Sequence, residues 1–128
     1  MPGLLTVLPM LAAKYKLAIA TSATRAMVDV IMEPLQLLSY FTVVQTSDDV
    51  VNGKPNPEIY LKAMNRLGVQ PAESVVLEDS SNGARAGKNA GAYTIAVPSI
   101  HTRDQDFSFC DYVASSLIDA GAKIASLA

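Results

Sequence analysis

Cysteine occurs once in the 128 residues, at Cys110, histidine once, at His101, and tryptophan not at all. A single cysteine excludes an internal disulfide and fits a reducing cytoplasm; its plain reading is a small buried or half-buried hydrophobe. Charged residues make up only 17% of the chain and the net charge is −2. That balance offers no basic surface for nucleic acid or an anionic membrane. No apolar run approaches the ~20 residues needed to span a bilayer. The stretch "LLTVLPMLAA" near the start has no basic residue ahead of it, and Lys14 and Lys16 follow it, so it makes a poor signal peptide. Repeats, low-complexity tracts and linkers are absent from the sequence.

What the chain has is apolar residues, 50% of the total, enough to bury a core in a single domain over 1–128. Helical patterns alternate with short β runs. "LLTVLPMLAAKY" (4–15) reads as a helix whose Pro9 should kink it or move its start. "KLAIA" (16–20) reads as a buried strand. A helix follows over 23–38, disturbed near Pro34, then a strand at 41–46. Over 56–69 a helix is expected with Asn56 as N-cap, Pro57 at its first position and Gly68 at its stop. "SVVLE" (74–78) is a third strand, 81–91 a short helix closed by Gly91, and 93–98 a fourth strand. Residues 111–124 hold a short strand and then a terminal helix.

Strands that are apolar on both faces and separated by helices imply an α/β fold, a Rossmann-like parallel sheet flanked by helices. Right-handed crossovers put the C-terminal ends of such strands along one edge, where open α/β sheets bind ligands. Three features should meet there. Thr21 and Ser22 follow the first strand and offer hydroxyls and amide N–H groups suited to a phosphate oxygen. Lys54, in the loop "NGKPNP" (52–57), offers a compact positive charge. Glu78 and Asp79 close the third strand, and Mg²⁺ is commonly held by one or two carboxylates. Each feature alone has a plainer reading, as helix cap, turn or capped helix start. The ordered set, each at the correct end of its element, is more specific.

In that order the segments "PGLLTVLPMLAAKYKLAIATSAT" (2–24), "GKPNPEIYLKAMNRLGV" (53–69) and "VVLEDSSNGARAGKNAGAYTIAV" (75–97) resemble the haloacid dehalogenase superfamily of phosphohydrolases, in the branch of β-phosphoglucomutase and phosphoglycolate phosphatase. The resemblance implies Mg²⁺ as cofactor and a small phosphorylated metabolite as substrate. It implies that Thr21, with the Ser22 backbone, binds the transferring phosphoryl group. Lys54 would bridge phosphate and nucleophile, and Glu78 and Asp79 would hold the metal. Ser80 and Asn82 become neighbours that orient the site. Arg25 is a further candidate for substrate contact, set against a plain helix-surface arginine. His101 reads as a solvated loop residue.

Two parts of the family pattern have no counterpart in this sequence. One is the opening strand ending in Asp-x-Asp-x-Thr/Ser, whose first Asp is the nucleophile and second the general acid/base. "DQD" at 104–106 has the spacing, but no strand leads into it. The other is the cap domain. The expectation is therefore the C-terminal core of a longer phosphatase or phosphomutase, inactive alone. The alternative is a non-catalytic chain that retains an anion site or acts as an interaction module. The absent strand is central in the family, so "KLAIA" and "SVVLE" would each face an open slot. That invites a strand-donating partner or self-association.

Overall fold

The structure, a computed structural model, describes residues 3–127. Met1, Pro2 and Ala128 lie outside the described residues, so the Pro-Gly at 2–3 is seen only from Gly3 onward. Helices and strands alternate as α1 (Leu4–Ala12), β1 (Ala18–Ala20), α2 (Arg25–Met32), β2 (Val43–Gln45), α3 (Glu58–Leu67), β3 (Val75–Glu78), α4 (Ser81–Asn89), β4 (Tyr93–Ala96), β5 (Tyr112–Val113) and α5 (Leu117–Leu127).

All the pairings are parallel, as the α/β reading requires, but they fall into two separate sheets. β1 pairs with β2, Ile19 opposite Val44. β3, β4 and β5 form the second sheet in that order, with Leu77 opposite Ile95 and Ala96 opposite Val113. β1 and β3 are not hydrogen-bonded to each other.

Successive strand residues point to opposite faces, and the core follows that alternation. Leu77 turns toward α1 and α5, where Val7, Leu11, Leu117 and Ile124 pack with Ile95 and Val97. Val76 turns the other way, into a cluster with Ile59, Met64, Ala86 and Ala90 from α3 and α4. Helix α4 lies close on β3 and β4 because of Gly87, whose added Cβ would sit 2.9 Å from both the Thr94 hydroxyl oxygen and a Val76 methyl.

Local chemistry sets the boundaries and corrects the expected bounds of α2 and α3. α1 runs through Pro9 from Leu4, so the proline does not move its start. Its missing N–H forfeits one hydrogen bond, while burial of Val7, Leu8 and Leu11 holds the helix. α2 starts at Arg25, capped by the Thr24 hydroxyl accepting the Met27 N–H at 3.2 Å, and ends at Met32 rather than 38. Glu33 still has helical dihedrals (φ −62°, ψ −48°), but Pro34 has no N–H to continue the ladder, and the chain continues through Gln36 at φ 55° into a 3₁₀ turn at Leu38–Tyr40. α3 starts one residue later than expected. Pro57 occupies the N-cap, and Asn56 serves from one position further out, its Oδ1 accepting the Glu58 N–H at 3.0 Å. Gly68 (φ 73°) ends α3 and Gly91 (φ 88°) follows α4, both in the left-handed region where glycine is strain-free.

Candidate active site

β1 and β3 end at the same place, and Lys54 marks it. Its Nζ donates to the Ala20 carbonyl at 3.1 Å and to Glu78 Oε2 at 2.7 Å, tying the last residue of one sheet's strand to the last residue of the other's. Both charged side chains are only 11% exposed. A pair so withdrawn from water needs further hydrogen bonds to be stable, and Glu78 has them. The Tyr60 hydroxyl donates to the same Oε2, and the Asp79 N–H donates to Oε1 at 3.2 Å. The Tyr60 ring also lies 5.1 Å from Lys54 Nζ, within cation–π range. Burial first, and the Glu78 charge second, push the Tyr60 phenol far above its usual value, so it stays a donor.

Lys54 is positioned by the loop 51–57. Glu58, at the start of α3, accepts the N–H groups of Val51 and Asn52, each at 3.0 Å, and so fastens the loop to the helix. The Lys54–Pro55 peptide is cis. Glu78 is positioned by α4. A Cβ on Gly83 would stand 2.0 Å from Glu78 Cδ, so the carboxylate occupies space that only glycine leaves free. Ser80 caps that helix, accepting the Gly83 N–H at 3.1 Å.

Asp79 is the open member of the acidic pair. Burial raises its pKa, and the neighbouring Glu78 charge adds to the rise. A carboxyl in that position favours a proton or a cation beside it. Its oxygen chemistry fits Mg²⁺, which keeps several waters when few protein ligands are present. Among the described residues, no group of three or more His, Cys, Asp or Glu side chains gathers as metal ligands.

Thr21 directly follows the Ala20 carbonyl held by Lys54. Its Oγ1 accepts the Ala23 N–H at 3.1 Å, and its own N–H donates to Gln45 at 3.0 Å, so the turn after β1 is fixed while Ser22 stands exposed beside it. Thr21, Lys54, Glu78 and Asp79 thus share one edge, with Ser80 just behind. Asn82 lies exposed in the first turn of α4. Arg25 is placed on the surface of α2, its Nε paired with Asp29 at 3.1 Å. His101 is exposed in its loop. The 104–106 loop packs on the start of α4, where Ser81 donates to Gln105 and Asp106. Tyr60 and Gly83 were not among the sequence candidates. The signal for Tyr60 is that a tyrosine on a core face needs a partner for its hydroxyl, six residues after the lysine of "KPNPEIY".

A parallel α/β core carrying a hydroxyl turn, a lysine and an acidic pair on one strand edge defines the class of phosphohydrolase-like cores. A family model for haloacid dehalogenase-like hydrolases matches residues 1–97, and the chain belongs to that family. It is 38% identical over 104 residues to the protein CbbY of Rhodobacter capsulatus, covering 79% of this chain and 46% of CbbY. It is 40% identical over 111 residues to the pyrophosphatase PpaX of Halalkalibacterium halodurans, covering 82% of this chain and 50% of that one. The solved structure of CbbY from Rhodobacter sphaeroides in complex with phosphate superposes with a TM-score of 0.87 at 32% identity, over 95% of this chain and 58% of that one. The chain thus spans about half the length of these curated relatives. Among the described residues, no helix is long and apolar enough to cross a membrane.

Proposed function

We propose that this chain provides the phosphate-binding and metal-binding side of a Mg²⁺-dependent phosphatase or phosphomutase acting on a small phosphorylated metabolite. The observation that carries the reading is the Lys54 bridge, which brings a cation, two carboxylates and the Thr21 turn to the end of both sheets. The names of similar proteins support the substrate class. One is a phosphorylated carbohydrates phosphatase of Thermotoga maritima, 46% identical over 78 residues. Another, a variant of CbbY from Rhodobacter sphaeroides, was solved with xylulose-(1,5)bisphosphate.

In this reading the Thr21 hydroxyl and the amides of the turn after it hold phosphoryl oxygens, and Lys54 balances their charge. Tyr60 and Gly83 keep Glu78 in place so that Lys54 stays at the edge. Asp79, with Glu78 beside it, is the residue that would hold the metal. When bound, Mg²⁺ supplies charge neutralisation to a phosphoryl oxygen. Catalysis by these groups is positioning and electrostatics. The sequence has no aspartate ahead of β1, so no residue of this chain is assigned the attack on phosphorus. A non-catalytic anion-binding module is the second reading, favoured by the full set of donors already on Glu78.

Both parts are testable on the 128-residue chain. With p-nitrophenyl phosphate and Mg²⁺ it should turn over no faster than its Asp79→Asn variant, and faster turnover refutes the inactive reading. Inorganic phosphate should shift the amide resonances of Thr21–Ala23 and Lys54, with the shifts lost in Lys54→Ala. Shifts confined to another surface would remove the site assignment.

A further inference from the structure

The two carboxylates of the acidic pair are not equally free. Glu78 has both oxygens committed to protein donors. Its Oε2 accepts from Lys54 Nζ at 2.7 Å and from the Tyr60 hydroxyl. Its Oε1 accepts the Asp79 N–H at 3.2 Å and lies where a Cβ on Gly83 would overlap it. A carboxylate oxygen offers two lone pairs, so Oε2 has none left for a cation. Releasing either donor is unfavourable. Lys54 Nζ would keep only the Ala20 carbonyl, in a side chain 11% exposed. Tyr60 is 7% exposed, and its hydroxyl would be left buried without a partner. Burial and the Glu78 charge keep that hydroxyl protonated. Asp79 stands half-buried beside this arrangement and takes neither donor.

We infer that Tyr60 is a positioning residue that limits metal affinity at this edge: its hydroxyl holds Glu78 on Lys54, and Asp79 is the one carboxylate of the pair free to ligate a divalent cation. The inference rests on the reading of this edge as a metal site, and adds which carboxylate serves it and what restrains the other. The restraint is rigid. The Tyr60 ring packs in the core with Met64, Val76 and Ala86, so its hydroxyl cannot leave Glu78 without disturbing that cluster. Gly83 closes the opposite side. Glu78 is thus clamped between α3 and α4. Of these restraints, the hydroxyl alone can be removed with the shape unchanged, since phenylalanine keeps the ring and drops one donor. Oε2 would then carry Lys54 and have a lone pair for the cation. In the native chain the hydroxyl therefore lowers metal affinity and fixes the lysine.

The probe is Mn²⁺, which like Mg²⁺ prefers oxygen ligands and broadens nearby amide resonances, added to the full 128-residue chain. Broadening at Asp79 and Ser80 reads the affinity. It should saturate in the native chain and be lost in Asp79→Asn. In Tyr60→Phe the affinity should be at least about fivefold tighter, because no buried donor has to be released. The same variant should unfold at lower urea, and tighter binding by a less stable protein is a combination that a merely structural role does not give. In a Glu78→Gln background Tyr60→Phe should change the affinity by less than about twofold, since the oxygen it frees is no longer charged. Unchanged or weaker binding in Tyr60→Phe, with binding still dependent on Asp79, would overturn this inference and leave the metal site standing. A gain that survives in the Glu78→Gln background would overturn it too, by placing the action of Tyr60 elsewhere. Broadening that ignores Asp79→Asn would remove the metal site and the inference together.

Discussion

At the scale of single residues, Glu78 is the centre of the site. It accepts from Lys54, Tyr60 and the Asp79 amide, and it fills the space over Gly83. That Glu78 and Asp79 lie at the sheet's edge was legible in the sequence because charges at the end of an apolar run must sit at an opening or be paired. Tyr60 and Gly83 were not, because period and composition place a residue on an element without saying what a third element brings against it. The roles predict an order of effects. Tyr60→Phe removes one hydrogen bond to a charged group and should cost about 1.5–3 kcal/mol. Gly83→Ala drives the carboxylate off its seat and separates a buried ion pair, which should cost about 3–5 kcal/mol. Both act through Glu78, so the double variant should be less destabilised than the sum of the two. Urea midpoints of the three proteins check this, and strict additivity would show that Tyr60 and Gly83 act apart.

Elements were legible in number, type and order, since the alternation of apolar runs with helical periods is strong from 4 to 124. Their ends were less so. The helix over 23–38 stops at Met32 because Pro34 breaks the pattern that the apolar residues continue, and α3 starts one residue late because Pro57 takes the N-cap while Asn56 accepts from one position further out. The loop before α3 shows what an element boundary does for the site. Glu58 fastens Val51 and Asn52, and this lowers its pKa from the usual 4.5 to about 2, the Val51 N–H contributing most, then Lys62 and the Asn52 N–H. An acid whose folded pKa lies below its unfolded value adds stability above the unfolded value and loses it as pH falls through the folded one. The fastening should therefore be intact above about pH 4.5 and released progressively toward pH 2. Amide exchange at Val51 and Asn52 should quicken across that window, beyond the chemical trend. In Glu58→Gln the pH-dependent part should be gone; its survival would place the titrating group elsewhere.

At the scale of the whole molecule, the described residues form two parallel half-sheets bridged by helices, α1 on one face and α3 on the other. Helix α3 packs on β1 and β2 and also on α4, and Lys54 is a second tie at the strand ends. The two halves are unequally buried. Thr94, Ile95 and Ala96 in β4 have no exposed surface, since β4 has strands on both sides and helices on both faces. β1 has a strand on one side and, on the other, a cleft of about 490 Å³ whose far wall is Val75 and Leu77 of β3. Buried backbone groups without partners cost about 1–3 kcal/mol each, against about 5–15 kcal/mol for the stability of an ordinary domain. The β1–β2 half should therefore open on its own while β4 stays closed. Native-state hydrogen exchange should show Thr94–Ala96 exchanging only through global unfolding and Ala18–Ala20 through a local opening of much lower free energy. An apolar dye should bind before the main unfolding transition in urea, and the protein should aggregate more readily as the cleft opens. Equal protection of Ala18–Ala20 and Thr94–Ala96 in a monodisperse monomer would overturn this, because it would require the β1 edge to be satisfied without an occupant in the cleft.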